Sequence, residues 1–175
     1  MFDNTVTKTQ NDMLIGYVGE KYINTQDFKD NKSEIELLLI DSNNDKKSYT
    51  ELLAYTVDLQ KDIDDLLSQM TESKNYHIYI SSKRAFQNYK NKKDFADLKG
   101  YIALDSNTSD VLKDKEGRVY AVSLEDNSLA ERLGIVNTKD IYIAAASFGG
   151  KNLTDYEKNG MNIVGYIIEN KQKYS

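Results

Sequence analysis

Apolar residues recur every three or four positions in two N-terminal stretches of the chain. This spacing places apolar side chains on one face of a helix, so it predicts helices at about residues 4–23 and 49–71. The second prediction is the stronger, because Ser48 and Glu51 have the spacing of a capping box. Its predicted buried stripe consists of Leu52, Thr56, Leu59, Ile63, Leu66 and Met70.

Short runs of apolar and β-branched residues bounded by polar turns predict strands. These runs are residues 34–41, 75–82, 101–105, 118–124, 140–147 and 162–170. Residues 84–98 are expected to form a helix, and SLAERLGI a short helix that Gly134 ends in the left-handed conformation, with Ile135 making the apolar contact after it. Helices predominate early and strands late. The order therefore predicts an α+β fold with long N-terminal helices and a mixed or antiparallel sheet, formed mainly by the C-terminal half.

Length and composition fit one folded domain spanning residues 1–175. The net charge of −5 argues against a surface built throughout for nucleic acid. Cysteine is absent, which excludes disulfides, thiolate catalysis and cysteine-based zinc sites. The sequence also contains no apolar run long enough for a transmembrane helix. Either the protein is cytoplasmic, or it is an extracytoplasmic domain whose helix 4–23 continues from a membrane segment outside this chain.

The stretch IYIAAASFGGK, residues 141–151, invites comparison with a phosphate-binding loop. Such a loop needs glycine six positions before its lysine and a Ser or Thr hydroxyl directly after it. Ala145 and Asn152 occupy those two positions, so both requirements fail. We interpret the stretch as two buried strands joined by a glycine-bearing connection.

Two Asp- and Asn-rich segments, residues 41–51 and 105–116, are similar to calcium loops in offering oxygen ligands at alternate positions. Lys46 and Asp110 stand where the sharp turn of such a loop needs glycine. We therefore interpret both segments as ordinary turns and expect no metal and no cofactor.

His77 is the only histidine, and we expect it to be hydrogen-bonded in the middle of a strand rather than to act as a base. The segment after it is basic, with Phe86 and Tyr89 among its lysines. That combination occurs on single-strand nucleic-acid surfaces. The alternative, which we favour, is an amphipathic helix with buried aromatic residues and solvated lysines, so no nucleic-acid partner is expected.

Three features together resemble the extracytoplasmic Cache/PAS-like sensor domains of bacterial receptors. They are the initial helix Val6–Tyr22, the long polar connection from YIALD to RVYAVSL, and the closing pair DIYIAAAS and NIVGYIIEN. The resemblance implies a ligand-sensing role in signal transduction, with membrane contact only through segments outside this chain. SLAERLGI followed by KDIYI resembles a PDZ domain less closely.

The leading hypothesis is therefore a non-enzymatic domain of a membrane receptor that binds a small molecule over the sheet. The small side chains from Ala144 to Ser147 would leave space for a pocket, with Tyr120, Tyr142 and Ser147 as candidate ligand contacts. The alternative is that helix side chains pack onto the alanines. A homodimer through the N-terminal helix is also expected. Other hypotheses are an assembly protein, such as the head of a pilin-like surface subunit, and then an enzyme of unidentified type.

Overall fold

The computed structural model describes residues 11–103 and 109–175, which form a six-stranded sheet with helices on both faces. The strands are β1 (Met13–Gly19), β2 (Thr50–Thr56), β3 (Ile78–Ser82), β4 (Val111–Lys113), β5 (Val119–Ser123) and β6 (Ile141–Ala145). Their order across the sheet is β2-β1-β3-β6-β5-β4. β1 runs parallel to β2 and β3, whereas β6 is antiparallel to β3 and β5, so the sheet is mixed.

Six α-helices connect and cover these strands in the described part of the chain. They are α1 (Thr25–Asn31), α2 (Ser33–Glu36), α3 (Gln60–Ser73), α4 (Lys83–Asn88), α5 (Ser128–Arg132) and α6 (Asp155–Glu169). Side-chain caps fix several starts: Asn24, Ser82 and Asn127 accept backbone N–H bonds, and Thr154 forms a capping box with Glu157. None of the helices in residues 11–103 and 109–175 combines the length and apolarity that a bilayer span requires.

The two parallel crossovers lie on opposite faces of the sheet and create two apolar cores. On one face, Phe28 of α1 and Ile35 of α2 join residues of α5 and α6 above Ile15, Ile80 and Ile143. The other face contains Leu67 of α3, Phe86 of α4 and Phe95. Alternate residues of each strand therefore contribute to different cores, as the period of a strand requires.

α6 lies close to backbone on the first of these faces. A Cβ at Gly160 would stand 2.6 Å from the carbonyl oxygen of His77, and one at Gly165 would stand 2.6 Å from that of Tyr101. Only glycine fits at both positions without displacing backbone. The two glycines thus set the distance between α6 and the sheet.

The α+β class and the mixed sheet are confirmed, but the predicted long N-terminal helices are wrong. Residues 13–19 of the predicted helix 4–23 form β1, and its first residues, 4–10, lie outside the described part of the chain. The predicted helix 49–71 is two elements, β2 followed by α3. The sheet is not formed mainly by the C-terminal half, because β1, β2 and β3 all precede residue 83.

Several shorter predictions are also corrected. Residues 34–41 contain α2 and turns instead of a strand, and residues 162–170 lie largely in α6. Residues 84–98 contain α4 and a 3-10 turn at Lys92–Asp94 rather than one helix, and residues 101–103 form no strand. The initial helix and the closing strand pair that supported the sensor-domain resemblance are thus a strand from residue 13 and a strand–helix pair.

The other element predictions are confirmed. β3, β5, β6 and α5 lie within the predicted ranges. Gly134 follows α5 with φ +106, and Ile135 beside it is buried. The N–H of Asn24 donates to the Gly134 carbonyl at 2.8 Å, so this turn also anchors the start of α1.

Candidate functional site

β2 and β4 are the two edge strands of the sheet, and they differ in the features that prevent pairing with another chain. β4 has three residues, contains a register shift next to Lys113, and exposes that lysine. Short length, bulges and lysine are the usual protections of an edge strand against pairing with another chain. β2 has seven residues, TELLAYT, in unbroken register with β1, and contains neither lysine nor proline. Within the described residues, the β4 strand carries these protections and the β2 strand does not.

The pairing of β2 with β1 determines which of its backbone groups face outward. The ladder is bounded by the bond from the Met13 N–H to the Tyr49 carbonyl and by that from the Val57 N–H to the Gly19 carbonyl. In a parallel pair, alternate residues direct both N–H and C=O to the neighbouring strand. The residues facing away from β1 are therefore Thr50, Leu52, Ala54 and Thr56.

Only the first of these outward positions is capped within residues 11–103 and 109–175. The Thr50 N–H donates to Glu36 Oε2 at 3.0 Å, and Lys32 Nζ donates to the Thr50 carbonyl at 3.1 Å. The two side chains are themselves 3.5 Å apart as an ion pair and occupy the place of a neighbouring strand. No described residue pairs with the outward groups of Leu52, Ala54 and Thr56.

A groove follows this edge between α1 and β2. Its helix side is lined by Thr25, Phe28, Lys29 and Lys32, and its strand side by residues 50–54. Lys29 is exposed, so it adds positive charge to the wall. An extended polypeptide in this groove would find backbone partners on β2 and the cationic side chain of Lys29 on α1.

Apolar side chains are exposed beside the same edge. Tyr55 is 41% exposed on β2 and Leu59, just after the strand, is 65% exposed. Leu37 is 86% exposed next to Glu36, which caps Thr50. Single exposed apolar residues are common, but Tyr55 and Leu59 lie on or just after the strand whose outward groups have no partner among the described residues.

The three residues predicted to contact a ligand lie in different settings. Tyr120 and Tyr142 are both buried in the core under α3 and α4. The Tyr142 hydroxyl donates to Asp110 Oδ2 at 2.5 Å, and burial together with Asp110 raises the pKa of this tyrosine. Ser147 follows β6, and its N–H donates to the Asp94 carbonyl at 2.8 Å. Their role as ligand contacts stays a prediction.

The alanines of β6 are buried on both faces. Ala144 belongs to the α3–α4 core, whereas Ala145 belongs to the core that contains Met161 and Val164 of α6. Both are fully inaccessible to solvent. This arrangement agrees with the alternative in which helix side chains pack onto Ala145.

The stretch 141–151 is a strand followed by a loop, and the next element is α6 rather than the expected strand. The start of α6 is closed by its own residues, since Thr154 Oγ1 accepts from the Glu157 N–H at 3.1 Å. Glu157, which is buried, accepts from the N–H groups of Phe148 and Thr154. The local contacts therefore hold the loop against α6.

Asp41 and Asp45 of the first Asp-rich segment meet Asp12, and one carboxylate oxygen of each lies within 4.8 Å of the others. Asp12 is fully buried and accepts from the N–H groups of Ser42 and Tyr49 at 2.8 and 2.9 Å. Asp41 accepts from the Lys46 N–H at 2.8 Å, and Lys46 takes φ +66 where a calcium loop has glycine. The carboxylates fold the loop back onto β1 by accepting backbone N–H bonds.

Part of the second Asp-rich segment, residues 105–108, lies outside the described part of the chain. Within the rest, Asp114 accepts from the Arg118 guanidinium at 3.0 Å and from backbone N–H groups of the turn. These contacts lower the pKa of Asp114 against the effect of desolvation, which is the larger single influence and acts in the opposite direction. The segment closes a turn between β4 and β5.

The preferred interpretation of the basic segment is confirmed for its aromatic residues. Phe86 and Tyr89 are buried, so they are not available for stacking with bases. Lys92 Nζ donates to the carbonyls of Phe86 and Gln87 at 3.0 and 2.7 Å and thereby caps the end of α4. Burial lowers the pKa of Lys92.

β2 was not predicted as a site, because its residues fit the apolar spacing of the predicted helix 49–71. The signal that could have found it is the run TELLAYTV, which has aromatic and β-branched residues but no lysine or proline. No family model, curated protein or solved structure matches this chain.

Proposed function

We propose that the protein is a non-enzymatic interaction module that binds an extended polypeptide segment along β2, adding a strand to its sheet. The observation that carries the proposal is the run of three outward positions, Leu52, Ala54 and Thr56, with no described partner on an edge without bulge, lysine or proline. Strand addition supplies main-chain hydrogen bonds for affinity, while side-chain contacts at alternate positions give selectivity.

The groove defines the chemistry of the bound segment. Lys29, which is exposed on α1, favours an acidic side chain at a position that faces the helix, whereas Lys32 just after α1 is already paired with Glu36. Leu52 and Ala54 are partly buried against the adjacent core and favour small apolar side chains next to them. The proposed function agrees with the leading sequence-based hypothesis in being non-enzymatic. It differs in the bound molecule, which is a polypeptide beside β2 instead of a small molecule above β6.

Ala54→Pro tests the proposal because the Ala54 N–H faces away from β1 and bonds to no described residue. Peptides selected from a displayed library on the wild-type protein should shift the backbone amide resonances of Leu52, Ala54 and Thr56. Ala54→Pro should abolish their binding, since it removes a donor and adds a ring at the edge. Ala54→Ser, which keeps the N–H, is the matched control and should still bind.

Equal binding by Ala54→Pro and Ala54→Ser would contradict the proposal. So would selected peptides that leave the β2 resonances unchanged and shift others, such as those of β6. Circular dichroism of the proline variant shows whether the fold is intact before binding is compared.

A further inference from the structure

We infer that the segment accepted by β2 is β2 of a second copy, antiparallel to the first and related to it by a two-fold axis at Ala54. The inference rests on the proposed function and specifies its occupant. A two-fold axis perpendicular to a sheet pairs identical edge strands in antiparallel orientation, and this contact closes after two copies. The two six-stranded sheets would then form one continuous sheet.

The hydrogen-bonding pattern favours this register over its neighbours. With the axis at Ala54, Leu52 of each copy stands opposite Thr56 of the other, and Ala54 stands opposite Ala54. All three outward positions without a described partner are then hydrogen-bonded pairs, in which opposite residues exchange both N–H···O bonds. The edge complements itself without leaving any of these groups free.

Neighbouring axes satisfy fewer groups. An axis at Leu53 would bring Thr56 of the second copy opposite Thr50, whose N–H and C=O are already bonded to Glu36 and Lys32. An axis at Tyr55 would shift Leu52 opposite Asp58, which lies beyond the end of the strand. The cap on Thr50 therefore acts as a stop that fixes the register.

The side chains also fit this pairing. Leu53 stands opposite Tyr55 of the second copy, twice by symmetry, which covers the partly exposed Tyr55 ring with an apolar neighbour. Glu51 stands opposite Val57, so no two like charges on the strands are directly opposed. Asp58 of the second copy, which follows the end of its strand, would come next to the Lys32–Glu36 ion pair at Thr50.

The absence of cysteine permits a direct test with single substitutions. Opposite residues in a hydrogen-bonded antiparallel pair have Cα atoms about 5.5 Å apart, within the span of a disulfide. Ala54→Cys should therefore convert to a disulfide-linked dimer under mild oxidation. Thr56→Cys is the matched control. It lies on the same edge but away from the axis, so it should remain uncrosslinked.

Light scattering of the full, unsubstituted chain completes the test. The expected mass is that of two chains of 20.0 kDa, with loss of the dimer in Ala54→Pro and its retention in Ala54→Ser. A monomer at all accessible concentrations, or equal crosslinking of Ala54→Cys and Thr56→Cys, would overturn the inference. A dimer that persists in Ala54→Pro would assign the contact to another face and overturn it as well.

These outcomes are separable from failure of the proposed function. A monomeric protein whose β2 resonances shift with selected peptides retains the interaction edge and excludes only the second copy as its occupant. A β2 edge that binds neither peptide nor second copy contradicts both. Since residues 13–19 form a strand inside the sheet, the predicted N-terminal helix does not provide the dimer contact along those residues.

Discussion

His77 joins three parts of the molecule just before β3. Its Nδ1 accepts the Leu14 N–H at 2.7 Å, its carbonyl accepts the Ala146 N–H at 2.9 Å, and its ring stacks on Tyr156 with centroids 5.1 Å apart. The expected hydrogen bonding is confirmed, although the residue precedes the strand. Burial lowers the pKa of His77 from 6.5 to about 4, so the folded protein holds the ring neutral.

This pKa predicts a loss of stability in mild acid. Between pH 6.5 and about 4, the unfolded chain protonates His77 and the folded protein does not, so the unfolded state binds more protons. The free energy of unfolding should fall by about 2–3 kcal/mol on going from about pH 7.5 to about pH 4.5 through this group. Urea unfolding at both pH values measures the change.

The matched variant for this measurement is His77→Asn, whose side-chain oxygen can accept the Leu14 N–H without titrating. Its unfolding free energy should depend less on pH than that of the wild type by the same amount. Identical pH dependence in the two proteins would show that His77 does not carry the effect.

Two leucines, Leu67 in α3 and Leu59 just before it, differ in burial and allow a comparison of their effects on stability. Leu67 is fully buried, whereas Leu59, placed by periodicity in a buried stripe, is 65% exposed. Leu67→Ala should reduce the unfolding free energy by about 2–5 kcal/mol, while Leu59→Ala should change it by less than about 0.5 kcal/mol. Denaturant titration of both variants provides the comparison, and equal losses would contradict the assigned burial.

At the scale of elements, the predicted helix 49–71 shows why periodicity misled. Leu52 and Thr56 belong to β2, whereas Ile63, Leu66 and Met70 belong to α3. The strand ends four residues before the helix begins, so the two apolar patterns join at a helical interval by coincidence. Ser48 and Glu51 have capping-box spacing but cap no helix, because residues 50–56 pair with β1.

Gly160 in α6 provides a test of helix–sheet distance. Alanine is the better helix former by about 1 kcal/mol, yet its Cβ would stand 2.6 Å from the His77 carbonyl oxygen. Gly160→Ala should therefore destabilise the protein by about 1–3 kcal/mol net, because backbone must move. Thermal and urea unfolding measure this.

The control on the same helix is Asn162→Ala, since Asn162 is exposed and meets no such contact. It should leave stability unchanged or raise it by a few tenths of a kcal/mol. A stabilising Gly160→Ala would mean that α6 stands further from the sheet than the structure shows.

At the scale of the whole molecule, the layers on either side of the sheet decide whether β6 has space above it. Ala145 is fully buried in the core beneath α6. Ala145→Leu should lower the unfolding free energy by about 1–3 kcal/mol through overpacking. Unchanged or higher stability would instead indicate a cavity and would revive the small-molecule hypothesis with Tyr120, Tyr142 and Ser147.

The sequence by itself determined the features that depend on neighbouring residues. The strand cores of β3, β5 and β6, the short helix α5 and its left-handed Gly134 were predictable, because alternation, capping and turn chemistry act over a few positions. The α+β class with a mixed or antiparallel sheet was also predicted, although the order of elements from which it was inferred was partly wrong. Absence of cysteine also removed whole classes of site without any structure.

Tertiary structure alone decided what the ambiguous apolar runs become. MLIGYVG is a strand whose backbone pairs with β2 and β3 on both sides. NIVGYII lies in a helix, α6, which Gly160 and Gly165 allow to pack close to backbone. The candidate site on β2 could not be predicted from the sequence either. Whether β2 is central or outermost depends on which strands pair, and pairing between residues far apart in the chain leaves no local mark in the sequence.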